Sequence, residues 1–167
     1  PATAGIVAVL DRTKEPGATG EPLFLDVAAS LQEAGRAVKV IGGRYGLSSK
    51  EFSPVMVKAV YDEMSKPSPR RRFTVGINDD VTHLSLEVDP GHFIDTAPDV
   101  RQVIFYGMGS DGTVGAARQL ASIIADSTGG FSQAYFKYSA KKSGGYTISQ
   151  LRYGPSEIRS EYSIVEA

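Results

Sequence analysis

The sequence predicts an α/β protein built as two consecutive three-layer α/β units. Three observations carry this. Short apolar runs alternate with stretches of helical spacing from residue 5 to residue 77. A polar, proline-containing stretch interrupts the pattern over residues 78–100. After it, an apolar run leads through a glycine-rich turn into another helical stretch. Alternation of this kind places strands in a sheet and helices against its faces.

The elements follow in order. "GIVAVL", Gly5 to Leu10, is an apolar run bounded by turn chemistry and reads as a buried strand. "DRTKEPGATGEP", Asp11 to Pro22, is a long Gly- and Pro-rich loop. Leu23 to Ala34 has helical spacing, with Leu23, Val27 and Leu31 on one face and Gly35 as the stop. Ala37 to Ile41 is a second strand, closed by Gly42 and Gly43. Ser53 and Pro54 are a helix cap and a first helical position, and Val57, Val60, Tyr61 and Met64 form that helix's apolar face. "KPSPRRR", Lys66 to Arg72, is a basic surface turn, and Phe73 to Ile77 is a third strand. The order strand–helix–strand–helix–strand implies a parallel sheet with right-handed crossovers.

Residues 78–100 read as a linker with one short strand at Leu84 to Val88. The boundary falls near residues 92–100, which gives units of 1–95 and 96–167. The second unit begins with a strand at Gln102 to Tyr106, a turn at Gly107 to Gly112 and a helix at Thr113 to Ala125. "SQAYFKY", "YTISQLRYG" and "IRSEYSIVE" read as three more strands.

Composition narrows the function. The chain has 167 residues, a net charge of −1 and 9% aromatic residues, so it carries no electrostatic footprint for nucleic acid. No apolar run reaches the ~20 residues needed to span a bilayer, and the start lacks the basic and apolar regions of a signal peptide. There are no cysteines, which excludes disulfides and Cys-ligated clusters within these residues. The chain opens on Pro1 with a strand close behind it, and is expected to be a piece of something longer.

The most informative motif is Gly107-Met-Gly109-Ser-Asp-Gly112. It matches G-x-G-x-x-G after a strand and before a helix, where exposed amides at a helix N-terminus favour a phosphate. A dinucleotide site also requires an acid on the next strand for the ribose. The stretch "YFKYSAKKSGG" offers Lys137, Lys141 and Lys142 instead. Lysines there suit an extra phosphate, such as the 2′-phosphate of NADP or the 3′-phosphate of coenzyme A. The alternative is a tight strand-to-helix turn without a ligand.

Other constellations are weaker. "DRTKEPGATGEP" is a ligand or partner loop at a strand's carboxyl end, or a plain surface loop. "GGRYGLSSKEFSP", with Arg44 and Lys50, is an anion-binding loop or a connection. Asp79, Asp80 and His83 fit no standard metal-ligand spacing and read as turn formers, and His92 stands alone. No G-x-S-x-G elbow or catalytic triad is present, so the residues themselves point to no catalytic group and no metal.

Five strings, "GIVAVLDRTKEPGATGEPLFLDV", "IGGRYGLSSKEFSPVMVKAVYDEM", "FTVGINDDVTHLSLEVD", "FYGMGSDGTVGA" and "YFKYSAKKSGGYTISQLRYG", together resemble one family. It is pyruvate:ferredoxin (flavodoxin) oxidoreductase, or pyruvate synthase, and the likeness runs in order over nearly the whole chain. The resemblance implies a fragment of a long homodimeric enzyme that uses thiamine diphosphate, Mg²⁺, [4Fe–4S] clusters and coenzyme A. Such enzymes convert pyruvate to acetyl-CoA and carbon dioxide and reduce ferredoxin or flavodoxin.

By the same resemblance, residues 1–95 end a transketolase-C-terminal-like domain, and residues 96–167 begin a gamma-type domain that contacts coenzyme A. Gly109, Ser110, Asp111, Gly112 and Thr113 are then a coenzyme A loop, with Lys141 from the facing loop. Thiamine diphosphate, Mg²⁺ and the clusters are expected outside this segment, which alone should show no turnover. The expected location is the cytoplasm, or an organelle matrix in a eukaryote. Pyruvate:NADP⁺ oxidoreductase and the flavoprotein subunit of some sulfite reductases contain similar segments, and a free-standing coenzyme-binding module is a further alternative.

Overall fold

The computed structural model describes residues 3–46, 50–78, 81–92, 98–139 and 144–164. The chain divides into two compact units, Pro1–Phe93 and Ile94–Ala167. Among the described residues, no helix is long and apolar enough to cross a membrane.

The first unit runs β1 (Ile6–Asp11), α1 (Pro22–Glu33), β2 (Lys39–Arg44), α2 (Pro54–Met64) and β3 (Arg72–Thr74). Its strands form a parallel sheet in the order β1-β2-β3, with Val9 opposite Gly42 and Leu10 opposite Gly43. Successive strand residues point to opposite faces. On one face, Phe24 of α1 fills the space above Gly42, where a Cβ would stand 2.9 Å from its ring. On the other, Ile41 packs with Ala59 and Val60 of α2 and with Phe73, Val75 and Leu86. The helices therefore cover opposite faces and make three layers. Both steps run the same way across the sheet, so the two crossovers have opposite hands, where the sequence suggested a right-handed pair.

Local chemistry explains the helix ends. The position before α1 is Glu21, whose side chain makes no cap bond. Asp11, at the end of β1, supplies the cap instead: the Leu23 and Phe24 amides donate to its carboxylate at 3.2 and 3.1 Å. At the other end Gly35 takes φ +63, and the Arg36 amide reaches back to the Leu31 carbonyl, a Schellman closure. Ser53 does precede α2 with Pro54 behind it, but its hydroxyl makes no cap bond.

Three expectations for the strands of this unit change. β2 starts at Lys39 and runs through Gly42 and Gly43 to Arg44, because both glycines stay in the ladder opposite Val9 and Leu10. β3 stops at Thr74 rather than Ile77, because Gly76 turns to φ +68 and leaves the ladder. The stretch Leu84 to Val88 is reduced to a single bridge, Thr74 with Ser85. Leu86 is nevertheless buried in the core, so this part of the presumed linker belongs to the first unit.

The "RRR" turn is only partly a solvated one. The buried Glu63 of α2 accepts from Lys66 Nζ at 2.6 Å and from the Arg70 amide at 2.7 Å. The Arg70 guanidinium also donates to the Ser85 carbonyl at 3.2 Å. Burial pushes the Glu63 carboxyl up, but the hydrogen bonds and charges of Lys66 and Arg70 outweigh it and hold its pKa below the ordinary value.

The second unit runs β4 (Arg101–Met108), α3 (Thr113–Thr128), β5 (Phe131–Tyr138) and β6 (Tyr146–Gly154). The sheet order is β4-β6-β5, and β6 is antiparallel to both neighbours. β4 and β5 therefore run parallel with the last strand slotted between them, a split β-α-β arrangement. α3 lies on the face that carries Phe105, Leu151 and Phe136; its Arg118 stacks over Phe136 at 5.3 Å, and Ser132 donates to the Ala121 carbonyl.

The stretch 158–166 is not a strand over its described residues, which end at Ile164. Side chains of β6 hold it instead. The Ile164 amide donates to Gln150 Oε1 at 2.8 Å, the Ser160 carbonyl accepts from Arg152 at 3.2 Å, and the Tyr162 ring covers the Arg152 guanidinium at 4.8 Å.

Candidate functional site

The chemistry gathers at the β4–α3 turn of the second unit. β4 delivers the chain to Gly109, whose amide donates to the Gly145 carbonyl at 2.7 Å and so ties the turn to the approach of β6. Ser110 and Gly112 both take left-handed backbone angles, φ +69 and +88. For serine this conformation is uncommon, and such strain persists only where the surroundings impose it.

Asp111 imposes it. Its carboxylate accepts from the Met108 amide at 2.7 Å and from the Thr113 amide at 2.8 Å, and so spans the turn from strand to helix. Hydrogen bonding from Thr113, ahead of that from the Met108 amide, lowers the Asp111 pKa. An acid held ionised by these donors is a brace and a poor proton acceptor.

The brace leaves other donors open. Among the described residues, the amides of Ser110, Gly112, Val114 and Gly115 have no acceptor. They surround the start of a 16-residue helix whose first turn carries no acid of its own. Beside them lies an open cleft of about 430 Å³, walled by the turn, by Tyr138 at the end of β5 and Ser139 after it, and by Gly145 before β6 and Tyr146 and Thr147 at its start.

Of the residues expected at the site, Gly109, Ser110, Asp111, Gly112 and Thr113 come together here. Lys141 and Lys142 lie outside the described residues. Lys137 pairs with Ile148 and stands on the sheet face away from α3, so it does not face this turn. Tyr138, Ser139, Tyr146 and Thr147 were not anticipated; the alternation of "YTISQL" on β6 was the available signal for Thr147.

The other candidates resolve into structure. Arg12 donates to the Gly46 carbonyl at 3.2 Å and stacks over Tyr45, and Arg44 pairs with Glu21 at 3.4 Å; these bonds tie the two long loops of the first unit together. Asp79 and Asp80 lie outside the described residues. Among the described residues there is no group of three or more His, Cys, Asp or Glu able to hold a metal ion.

The sheet order bears on the ligand class. A dinucleotide fold places its glycine turn between adjacent parallel strands. Here an antiparallel strand separates β4 from β5, so the G-x-G-x-x-G match lacks the context that would make it a dinucleotide fingerprint. Fold and site thus define an α/β segment whose second unit is a split β-α-β module with a braced glycine turn.

Comparison with known proteins shows what the chain is similar to. Residues 102–167 match the family described as Pyruvate ferredoxin/flavodoxin oxidoreductase. The whole chain is 53% identical over 167 residues to a putative pyruvate-flavodoxin oxidoreductase of Synechocystis, covering 14% of that protein. It is 54% identical over 168 residues to the pyruvate:ferredoxin oxidoreductase of Moorella thermoacetica, again 14% of the relative. It is also 49% identical over 170 residues to the mitochondrial pyruvate dehydrogenase [NADP(+)] of Euglena gracilis, 9% of that chain. The likeness to these relatives runs over the whole of this chain, which spans about one-seventh of the length of the bacterial ones.

Proposed function

We propose that the chain is part of an enzyme that oxidatively decarboxylates pyruvate to acetyl-CoA and carbon dioxide and passes the electrons to ferredoxin or flavodoxin. Its second unit, in this reading, holds coenzyme A through Gly109 to Thr113 and Lys141. The observation that carries the site is the braced turn, which presents unpaired amides at a helix N-terminus beside an open cleft. The two lysines that follow β5 suit the coenzyme's extra phosphate.

The contribution to the reaction is positional. Fixing the coenzyme's phosphates sets where its thiol reaches, which raises the effective concentration of the acyl acceptor. Thiamine diphosphate, Mg²⁺ and [4Fe–4S] clusters would sit in the remainder of a homodimeric enzyme. With no cysteine, this chain offers a cluster no thiolate. A second reading, with NADP⁺ as the electron acceptor, is favoured by the relative named pyruvate dehydrogenase [NADP(+)]. Turnover of the full-length protein with each acceptor separates the two.

The site is tested by calorimetry on the full-length protein with coenzyme A, dephospho-coenzyme A and NADP⁺. Tighter binding of coenzyme A than of its dephospho form is the expected result. Binding of NADP⁺ in preference to coenzyme A at this turn would overturn the assignment.

A further inference from the structure

The sheet of the second unit has a face that α3 does not cover. On it stand Tyr106 and Met108 of β4, Tyr135 of β5, and Tyr146 and Ile148 of β6. Tyr106 lies opposite Ile148, and Met108 opposite Tyr146. Tyr106, Met108, Tyr146 and Tyr135 are 75%, 60%, 60% and 56% exposed. An antiparallel sheet can leave one face to water, but that face then alternates to polar side chains. Here the outward positions are aromatic and aliphatic, and they adjoin one another. A continuous exposed patch of this kind marks a contact surface.

The other half of the same face shows what reaches it. The stretch after β6 folds back over that half. The Ser160 carbonyl accepts from Arg152, the Tyr162 ring covers the same guanidinium, and the Ile164 amide donates to Gln150 Oε1. Arg152, Gln150 and Ile164 are all buried. From Ser160 to Ile164 the contacts step from Arg152 to Gln150. The next residues of β6 on this face are Ile148 and Tyr146. The chain is therefore travelling along β6 toward the open patch. The chain spans 14% of the Synechocystis and Moorella relatives, so proteins of this kind hold much further polypeptide to continue that path.

We propose that the polypeptide following residue 167 in the full-length protein packs an apolar face on Tyr106, Met108, Tyr146 and Ile148, as a third layer of the second unit. Met108 and Tyr146 also line the cleft at the glycine turn. The added layer therefore reaches the rim of the cleft and walls a side that the described residues leave open. The inference stands on the sheet geometry and is independent of whether the cleft takes coenzyme A.

The test uses the full-length protein and two measurements. The first is hydroxyl-radical labelling of the wild type, native and urea-unfolded, read by mass spectrometry. Tyr106, Met108 and Tyr146 should label several-fold more slowly in the native protein. The second replaces Tyr106 with the photo-cross-linking residue p-benzoylphenylalanine. Irradiation should give a product of single-chain mass, in which Tyr106's replacement is joined to a peptide that follows residue 167.

Native labelling close to the unfolded rate would overturn the proposal, because the face would then be open in the full-length protein. A covalent dimer would overturn it in favour of a second copy of the chain. Joining to a peptide at or before residue 167, or no joining at all, would overturn it as well.

Discussion

Gly107→Ala and Gly115→Ala make the same chemical change on either side of the braced turn, and the structure gives them opposite signs. At Gly107 the new methyl would stand 2.6 Å from both Cβ and Oγ1 of Thr113 and 2.8 Å from Thr147 Oγ1. Ordinary contact begins near 3.4 Å, so the start of α3 must lift from the sheet by several tenths of an ångström. Overpacking of this kind costs about 1–3 kcal/mol. Gly115 lies on the exposed side of α3 with nothing within 4 Å of its Cβ position, and there alanine gains about 0.5–1 kcal/mol through helix propensity. With a urea slope of about 2 kcal/mol/M, the midpoint should fall by about 0.5–1.5 M for Gly107→Ala and rise by about 0.2–0.5 M for Gly115→Ala. Equilibrium urea unfolding followed by far-UV circular dichroism measures both. A Gly107→Ala protein as stable as the wild type would refute the close approach of strand, helix and β6 on which the cleft depends.

Other perturbations reach the rest of the chain. Glu63→Gln should cost about 1–3 kcal/mol at neutral pH, because buried bonds to Lys66 and Arg70 lose their charge. The folded carboxyl has a depressed pKa, so its stabilisation is complete above the ordinary carboxylate value of ~4.3 and disappears as pH falls through the folded one. Urea titrations from pH 7 downward should thus show wild type and variant converging only below about pH 4, and a gap that persists there would count against the pairing. Asp11→Ala removes the acceptor for the Leu23 and Phe24 amides and should destabilise the first unit by about 0.5–2 kcal/mol; an unchanged melt would mean α1 is capped otherwise. In the full-length enzyme, Lys141→Ala should raise the KM for coenzyme A roughly ten- to a hundredfold while pyruvate-driven reduction without coenzyme A stays intact. A KM equal to that of the wild type would remove Lys141 from the site.

The first unit was largely legible because its signals are local. Apolar runs, the Gly35 stop and the Ser53-Pro54 start lie within the elements they define. The end of β3 was hidden because the left-handed turn at Gly76 leaves no mark in an apolar run. The cap on α1 was hidden because its donors and acceptor belong to different elements. In the second unit, glycine spacing exposed the turn, and "YTISQLRYG" read as a strand. Its insertion between β4 and β5 did not show, since strand order is set by contacts between distant residues. That is also why the turn was anticipated and its floor at Thr147 was not. The run 158–166 has strand-like residues, yet its described backbone is claimed by Gln150 and Arg152 side chains rather than by a ladder.

The split sheet also fixes an order of events. β4, α3 and β5 precede β6 in the chain, but the two outer strands share no bonds until β6 enters between them. Closing that gap requires contacts between residues far apart in sequence, the slow class of folding event. The floor of the cleft and the carbonyl that anchors Gly109 arrive with this last strand. A chain emerging from synthesis therefore has its glycine turn early and the cleft beside it late. Any ligand that grips both favours the state with β6 in place, and so selects for completed molecules over those still missing their central strand.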